Sequence, residues 1–246
     1  MSPLRQWLGS ILFTAYLFVS LPVYACWLLI RAPFCSRAQN MRIAVAWADS
    51  VLYLLRKLCR LDYVVEGEQY LQGQNSVLLM KHSSAWETIA QFKLFPEQTW
   101  VIKRQLMWAP FLGWALAFFD PIAIDRRAGR DAVEQVLSQG RARLEEGLWV
   151  VIFPEGTRVP VGQTGRYGLS GALLATSTGR AVVPVAHNAG AFWPRRGWLK
   201  RPGTVRVVIG PPIPSTGRSA RDLNHDVRSW IEATIATMAE HAAPRG

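Results

Sequence analysis

Residues 148–158, Leu-Trp-Val-Val-Ile-Phe-Pro-Glu-Gly-Thr-Arg, decide how the rest of the chain is read. Leu148 to Phe153 is apolar at every position, too short for a helix of its own and closed by Pro154 and Gly156. Such a run predicts a strand covered on both faces, the habit of a parallel sheet. The Pro-Glu-Gly that follows predicts a tight turn at the strand's carboxyl end. That turn presents a carboxylate (Glu155), a hydroxyl (Thr157) and a guanidinium (Arg158) at the sheet's edge. Arg grips phosphate through paired hydrogen bonds that Lys cannot reproduce. A solitary Arg in such a place would more often be a solvated charge.

Outward from this strand the texture repeats. Short apolar runs at Ser76–Met80, Thr99–Ile102, Pro121–Ile124, Ala181–Ala186 and Thr204–Ile209 read as further strands. Helical periodicity fills the intervals at Ser84–Phe95, Asp131–Glu146 and Leu169–Ser177, and a last helix covers Arg221–His241. This alternation implies an α/β fold, a largely parallel sheet flanked by helices.

The first quarter of the chain differs. Leu8 to Ile30 carries no charge and is long enough to cross a bilayer, with Trp7 and Trp27 near its ends. Pro22 would kink it or fold it back into one leaflet. Val23-Tyr24-Ala25 offers small residues where a signal peptidase cuts, but the basic residues lie after the segment, at Arg31, Arg37 and Arg42. That asymmetry predicts a retained element with the downstream chain on the cytoplasmic side. Arg37 to Arg60 follows with helical periodicity, either amphipathic on an anionic membrane or facing a core. The expected organisation is a membrane-associated helical element over residues 1–60 and the α/β domain, which would carry any activity, over residues 61–246.

Lys and Arg outnumber Asp and Glu by 28 to 17, so a polyanionic partner is expected. Eleven Trp residues direct that expectation to an anionic membrane surface. The basic residues follow strands at separated points and form no run, which argues against nucleic acid. The three cysteines form no C-x-x-C pair and, being odd in number, no closed disulfide set. Neither H-E-x-x-H nor any ligand-like spacing of the four histidines is present, so no metal is implied.

His82 follows the Ser76–Met80 run and Glu87 lies five positions later. A histidine with a carboxylate partner is a general-base pair: the anion fixes the tautomer and stabilises the imidazolium. Ser84-x-x-Glu87 is equally a capping box, and the two roles are compatible. Lys103, Arg126 and Arg127 follow two other strands, as a phosphate-binding edge at the carboxyl ends of a parallel sheet requires. Pro184 stands within the apolar Val182–Val185 run, an unusual place for Pro in a sheet. His187, after it, reads as a structural or supporting residue. No G-x-S-x-G nucleophile elbow occurs, since Gly168-Leu-Ser170-Gly171 has other spacing.

His82–Glu87, Pro121–Arg126, Phe153–Arg158 and Val182–Val185 resemble, in order and spacing, the four blocks of the glycerolipid acyltransferase family, over roughly Ser76 to Gly190. The resemblance is nearest to bacterial acyltransferases acting on 1-acyl-glycerol-3-phosphate. It implies acyl transfer from acyl-CoA or acyl carrier protein, as co-substrate with no cofactor, to the sn-2 hydroxyl, forming phosphatidic acid. In that picture His82 is the base and Glu87, where the family usually has Asp, its charge partner. Arg126 and Arg158, helped by Lys103, would hold the acceptor's phosphate. Glu155, Gly156 and Thr157 would shape the glycerol site, and Pro184 would line or support the acyl-chain site. Attack would be direct, with backbone N–H groups near Ser83 and Ser84 as oxyanion donors. The enzyme would sit at the cytoplasmic membrane. A lyso-aminolipid such as lyso-ornithine lipid is the alternative acceptor, and a non-catalytic lipid-binding protein the alternative class.

Overall fold

The computed structural model describes residues 2–242, with side chains through Met238. Two long helices come first, α1 (Pro3–Arg31) and α2 (Arg37–Cys59). The rest alternates: β1 (Leu61–Glu66), β2 (Val77–Met80), α3 (Trp86–Leu94), β3 (Gln98–Lys103), α4 (Leu112–Leu116), β4 (Ile122–Ile124) and α5 (Arg130–Glu145). Then come β5 (Trp149–Ile152), α6 (Ser170–Thr178), β6 (Val182–His187), α7 (Ala189–Phe192), β7 (Gly203–Ile209) and α8 (Ala220–Ala242).

The strands form one sheet in the order β1-β7-β6-β2-β5-β3-β4. Every neighbouring pair is parallel except β6 with β7. Central β2, β5 and β6 are buried at every position, which is why they read as unbroken apolar runs. Their side chains alternate between two cores. Leu78, Met80, Val151 and Val183 join the layer beneath α2 and α3, whereas Val77, Leu79, Val150 and Val182 join the layer beneath α5, α6 and α8. Each fully buried aliphatic chain in these layers contributes about 1.5–3 kcal/mol relative to exposure.

Pro22 lies inside α1 without ending it, so the chain does not reverse there. One face of α1 packs on α2, where Gly9 lets the Leu58 carbonyl approach too closely for any side chain. A second stripe docks on the 193–200 segment. Lys200 N–H donates to Ser10 Oγ at 3.0 Å, Lys200 Nζ to Thr14 Oγ1 at 2.6 Å, and Phe13 meets Trp193 edge-on at 5.3 Å. The opposite face, with Leu4, Trp7, Leu8, Ile11, Phe18 and Trp27, is exposed. α2 begins at a complete capping box: Ser36 Oγ accepts from Gln39 N–H and Gln39 Oε1 from Ser36 N–H. β1, which sequence did not mark, is an edge strand whose Asp62 and Glu66 break its apolar pattern.

Candidate active site

Because β2 to β6 run parallel, their carboxyl ends converge on one edge. There β2 delivers His82, β3 Lys103, β4 Arg126, β5 the turn from Phe153 to Arg158, and β6 His187.

The His82 ring is 13% exposed and lies against Phe153, centroids 4.2 Å apart and nearly parallel. Its Nδ1 is 3.0 Å from Glu87 Oε1, and Glu87 is fully buried. The same oxygen accepts the N–H groups of Ser83 and Ser84 at 2.8 and 2.7 Å. Burial alone would raise the Glu87 carboxyl's pKa. The hydrogen bond from His82 and the Ser84 N–H oppose it, and the group is held below its ordinary value. An ionised acceptor on Nδ1 places the ring proton there and leaves Nε2 as the free base.

Two expectations change here. The capping box at Ser84 is only half formed: Glu87 reaches back to the Ser84 N–H, but Ser84 Oγ bonds the Trp193 carbonyl and the Trp86 N–H. The N–H groups of Ser83 and Ser84 are also not free to serve as oxyanion donors, because both are spent on Glu87.

The main chain at His82 is held as firmly as the ring. The Val159 N–H donates to the His82 carbonyl at 2.8 Å, and the His82 N–H faces Glu155 Oε1 at 3.4 Å. Glu155 therefore turns inward, its side chain 1% exposed, and does not line the cavity that the motif turn borders. It lies 3.4 Å from Lys81 Nζ, which makes a 2.6 Å ion pair with Glu232 of α8. Tyr167 and Thr164 donate to Glu232 as well. One ammonium faces two carboxylates. Burial raises the Glu155 carboxyl to about 7, against the pull of Lys81 and the His82 N–H. Glu232 is also raised by burial, but its hydrogen bonds from Lys81 and Tyr167 bring it below the ordinary value. The charge of Lys81 is thus matched by Glu232.

A cavity of about 400 Å³ opens beside His82. Lys103, Arg126 and Arg158 line it together with many apolar side chains that include Leu17, Leu21, Leu28, Trp47 and Phe92. Arg126 donates to the Gly156 carbonyl, joining the β4 and β5 ends, and the buried Arg158 Nε has no hydrogen-bond partner among the described residues. Gly156 needs its left-handed backbone, φ +65°, to make this turn. Gly156 and the exposed Thr157 form the turn's outer corner without lining the cavity. Pro184 does not reach it either. It sits inside β6, level with Leu79 of β2, and its carbonyl takes the Gly210 N–H.

Residues 62–188, just over half the chain, match the family model described as Acyltransferase. The chain belongs to the acyltransferase family. Over 238 residues this acyltransferase is 39% identical to a 1-acyl-sn-glycerol-3-phosphate acyltransferase of Pseudomonas aeruginosa, covering 95% of this chain and 93% of the relative. It is 25% identical over 221 residues to the human 1-acyl-sn-glycerol-3-phosphate acyltransferase alpha, covering 85% and 77% of the two chains. Its fold matches the 1-acyl-sn-glycerophosphate acyltransferase PlsC from Thermotoga maritima with a TM-score of 0.81, over 97% of this chain and 98% of that one, at 21% identity.

For this acyltransferase the structure brings His82, Glu87, Lys103, Arg126 and Arg158 together and leaves Glu155 and Pro184 in supporting positions. Sequence reasoning passed over three groups at the site. Phe153 was read as a strand end and as the first residue of a motif block without a role of its own, yet its position before the turn puts its ring on His82. Lys81 carries no local signal, and Glu232 lies in an ordinary amphipathic helix more than a hundred residues away.

Proposed function

We propose that the enzyme transfers a fatty-acyl group from a thioester, acyl-CoA or acyl carrier protein, to the sn-2 hydroxyl of 1-acyl-glycerol-3-phosphate. The product is phosphatidic acid. The observation that carries this reading is one cavity lined at once by His82, by a largely apolar surface and by three cations, Lys103, Arg126 and Arg158. A lysolipid bearing a phosphate matches that division of chemistry, and the named activity of the relatives agrees with it.

In this reading Nε2 of His82 takes the hydroxyl proton as the oxygen attacks the thioester carbonyl. The carbonyl carbon gains the ester oxygen, the carbon–sulfur bond breaks, and the leaving thiolate takes up the proton from the imidazolium. Glu87 stabilises that imidazolium and fixes the ring's tautomer. No acyl-enzyme is formed, so no acyl-Ser or acyl-Cys adduct is expected from enzyme incubated with thioester alone.

The exposed apolar face of α1 would lie in a bilayer, and its opposite face stays on the protein through Ser10, Phe13 and Thr14. By length and composition the segment Pro3–Phe34 is able to cross a membrane. Its contacts along the 193–200 segment instead favour a helix lying in one leaflet, with the cavity's α1 wall meeting the lipid phase. The catalytic domain would then face the cytoplasm, where the thioester donors are.

Competition between phosphate-bearing and phosphate-free lysolipids tests the acceptor. A strong preference for lysophosphatidic acid supports the reading. Equal use of a lyso-ornithine lipid would remove the phosphate role of Arg126 and Arg158 while leaving the acyltransferase.

A further inference from the structure

His187, the last residue of β6, is 1% exposed and has no part in the chemistry just described. Its Nε2 lies 2.8 Å from the Lys81 carbonyl, and the Ala189 N–H points at its Nδ1 from 3.2 Å. A carbonyl only accepts and a backbone N–H only donates. The ring therefore carries one proton, on Nε2, and is neutral. Burial depresses its pKa and keeps it so.

That Lys81 carbonyl belongs to the peptide whose N–H is the His82 N–H. The peptide leading into His82 is thus gripped from both sides, by His187 at the carbonyl and by Glu155 at the N–H. His187 also faces the partner of His82 directly: its Nε2 is 3.9 Å from Glu87 Oε2, beyond hydrogen-bond range. That oxygen has no hydrogen-bond partner among the described residues. The other polar or charged groups acting on His187 are His82 and Lys81 of the β2 end, and the Trp86 ring packs at 6.3 Å. Glu87 is thereby flanked by two imidazoles, one on each oxygen, with different tautomers and different tasks.

The geometry points to His187 as a positioning residue of the reaction: by holding the Lys81–His82 peptide and facing the second oxygen of Glu87, it keeps the His82 ring in register with Glu87 Oε1. This rests on the reading of His82 as the general base. The tether is a hydrogen bond from a neutral donor, so chemistry at Nε2 matters and aromaticity does not. Gln places an amide N–H near the same point. Leu fills the space without a donor, and Asn ends short of the Lys81 carbonyl.

The test uses the full-length protein in detergent, labelled with 15N-histidine and read without substrate. In wild type and H187Q the His82 Nδ1–H proton, bonded to Glu87, gives a downfield resonance protected from exchange. In H187L it broadens or disappears, and H187N takes the place of H187L if that variant does not fold. Rates follow the resonance. For H187L or H187N, kcat falls by about 10- to 100-fold, the size of loss that an ångström-scale misplacement causes. The lysolipid KM holds, and the acid limb of the kcat/KM profile moves to lower pH as the loosened imidazolium loses its partner. H187Q retains wild-type behaviour on all counts. A folded H187L with an intact resonance and wild-type kcat overturns the proposal. So does H187Q as impaired as H187L, or a fall in kcat with resonance and acid limb unmoved, which would reduce His187 to packing. The resonance is independent of the acceptor, so a wrong substrate would leave this result standing.

Discussion

Glu87 Oε1 accepts from His82 Nδ1 at 3.0 Å and also from the Ser83 and Ser84 N–H groups that open the path into α3. One oxygen anchors both the His82 ring and the local backbone. The two tasks differ in what they require: the backbone needs an acceptor, whereas an imidazolium formed at His82 in the proposed reaction would need a negative charge.

Glu87→Gln separates them. The carboxamide oxygen still accepts from Ser83 and Ser84, so the thermal midpoint is expected to change little. The charge that steadies the imidazolium is gone, and kcat is expected to fall roughly 10²- to 10⁴-fold, the range for losing a general base's partner. Steady-state kinetics beside a circular-dichroism melt checks both halves.

Glu155 gives a prediction in stability. Its carboxyl titrates at about 7 in the fold against an ordinary 4.5. A raised pKa means that its contribution is fully present below about 4.5 and is lost as pH climbs through about 7. The difference of about 2.5 pH units sets an upper bound of about 3 kcal/mol. Glu155→Gln keeps an acceptor for the His82 N–H and removes the titration. Unfolding free energies measured from pH 5 to 8 should therefore shift steadily in the variant's favour as pH rises. A constant offset would contradict the assignment.

The three cations that line the cavity predict a split in kinetics. Each charge-assisted hydrogen bond contributes about 1.5–3 kcal/mol. Arg126→Gln and Arg158→Gln should then each raise the KM for lysophosphatidic acid by about 10- to 100-fold. Use of a phosphate-free lysolipid should change little. Initial-rate measurements over acceptor concentration distinguish this from a general loss of activity.

Among the apolar residues that line the cavity is Ala44 of α2. Ala44→Phe should shorten the room for an acyl chain, costing long thioesters about four-fold for each methylene excluded. Competition among thioesters of different chain length, with the product resolved by mass, reads the shift directly.

Most of the sheet was legible because its central strands are covered on both faces and so appear as short unbroken apolar runs between turn residues. β1 escaped because it lies at an edge, where Asp62 and Glu66 face outward and interrupt the run. The Ser36-x-x-Gln39 box was visible in principle and marks the start of α2. Of the site, His82 and Glu87 were legible because five residues of sequence bring them together. Arg126 and Arg158 were legible because each follows a strand. Glu155 pointed the wrong way: a turn carboxylate reads as exposed until the fold supplies Lys81 beside it. The grip of His187 on the Lys81 carbonyl was illegible, since only the pairing of β2 with β6 brings residues 106 apart in sequence into contact. Pro184 belongs to the same pairing, which hides it from the cavity.

The central claim is that His82, partnered by Glu87, drives acyl transfer to lysophosphatidic acid. The measurement is phosphatidic acid formed from acyl thioester and lysophosphatidic acid by the purified full-length protein, quantified by mass spectrometry for wild type and His82→Ala. The account predicts rapid thioester-dependent product from wild type and essentially none from a folded His82→Ala protein. Equal turnover by the two proteins would contradict it.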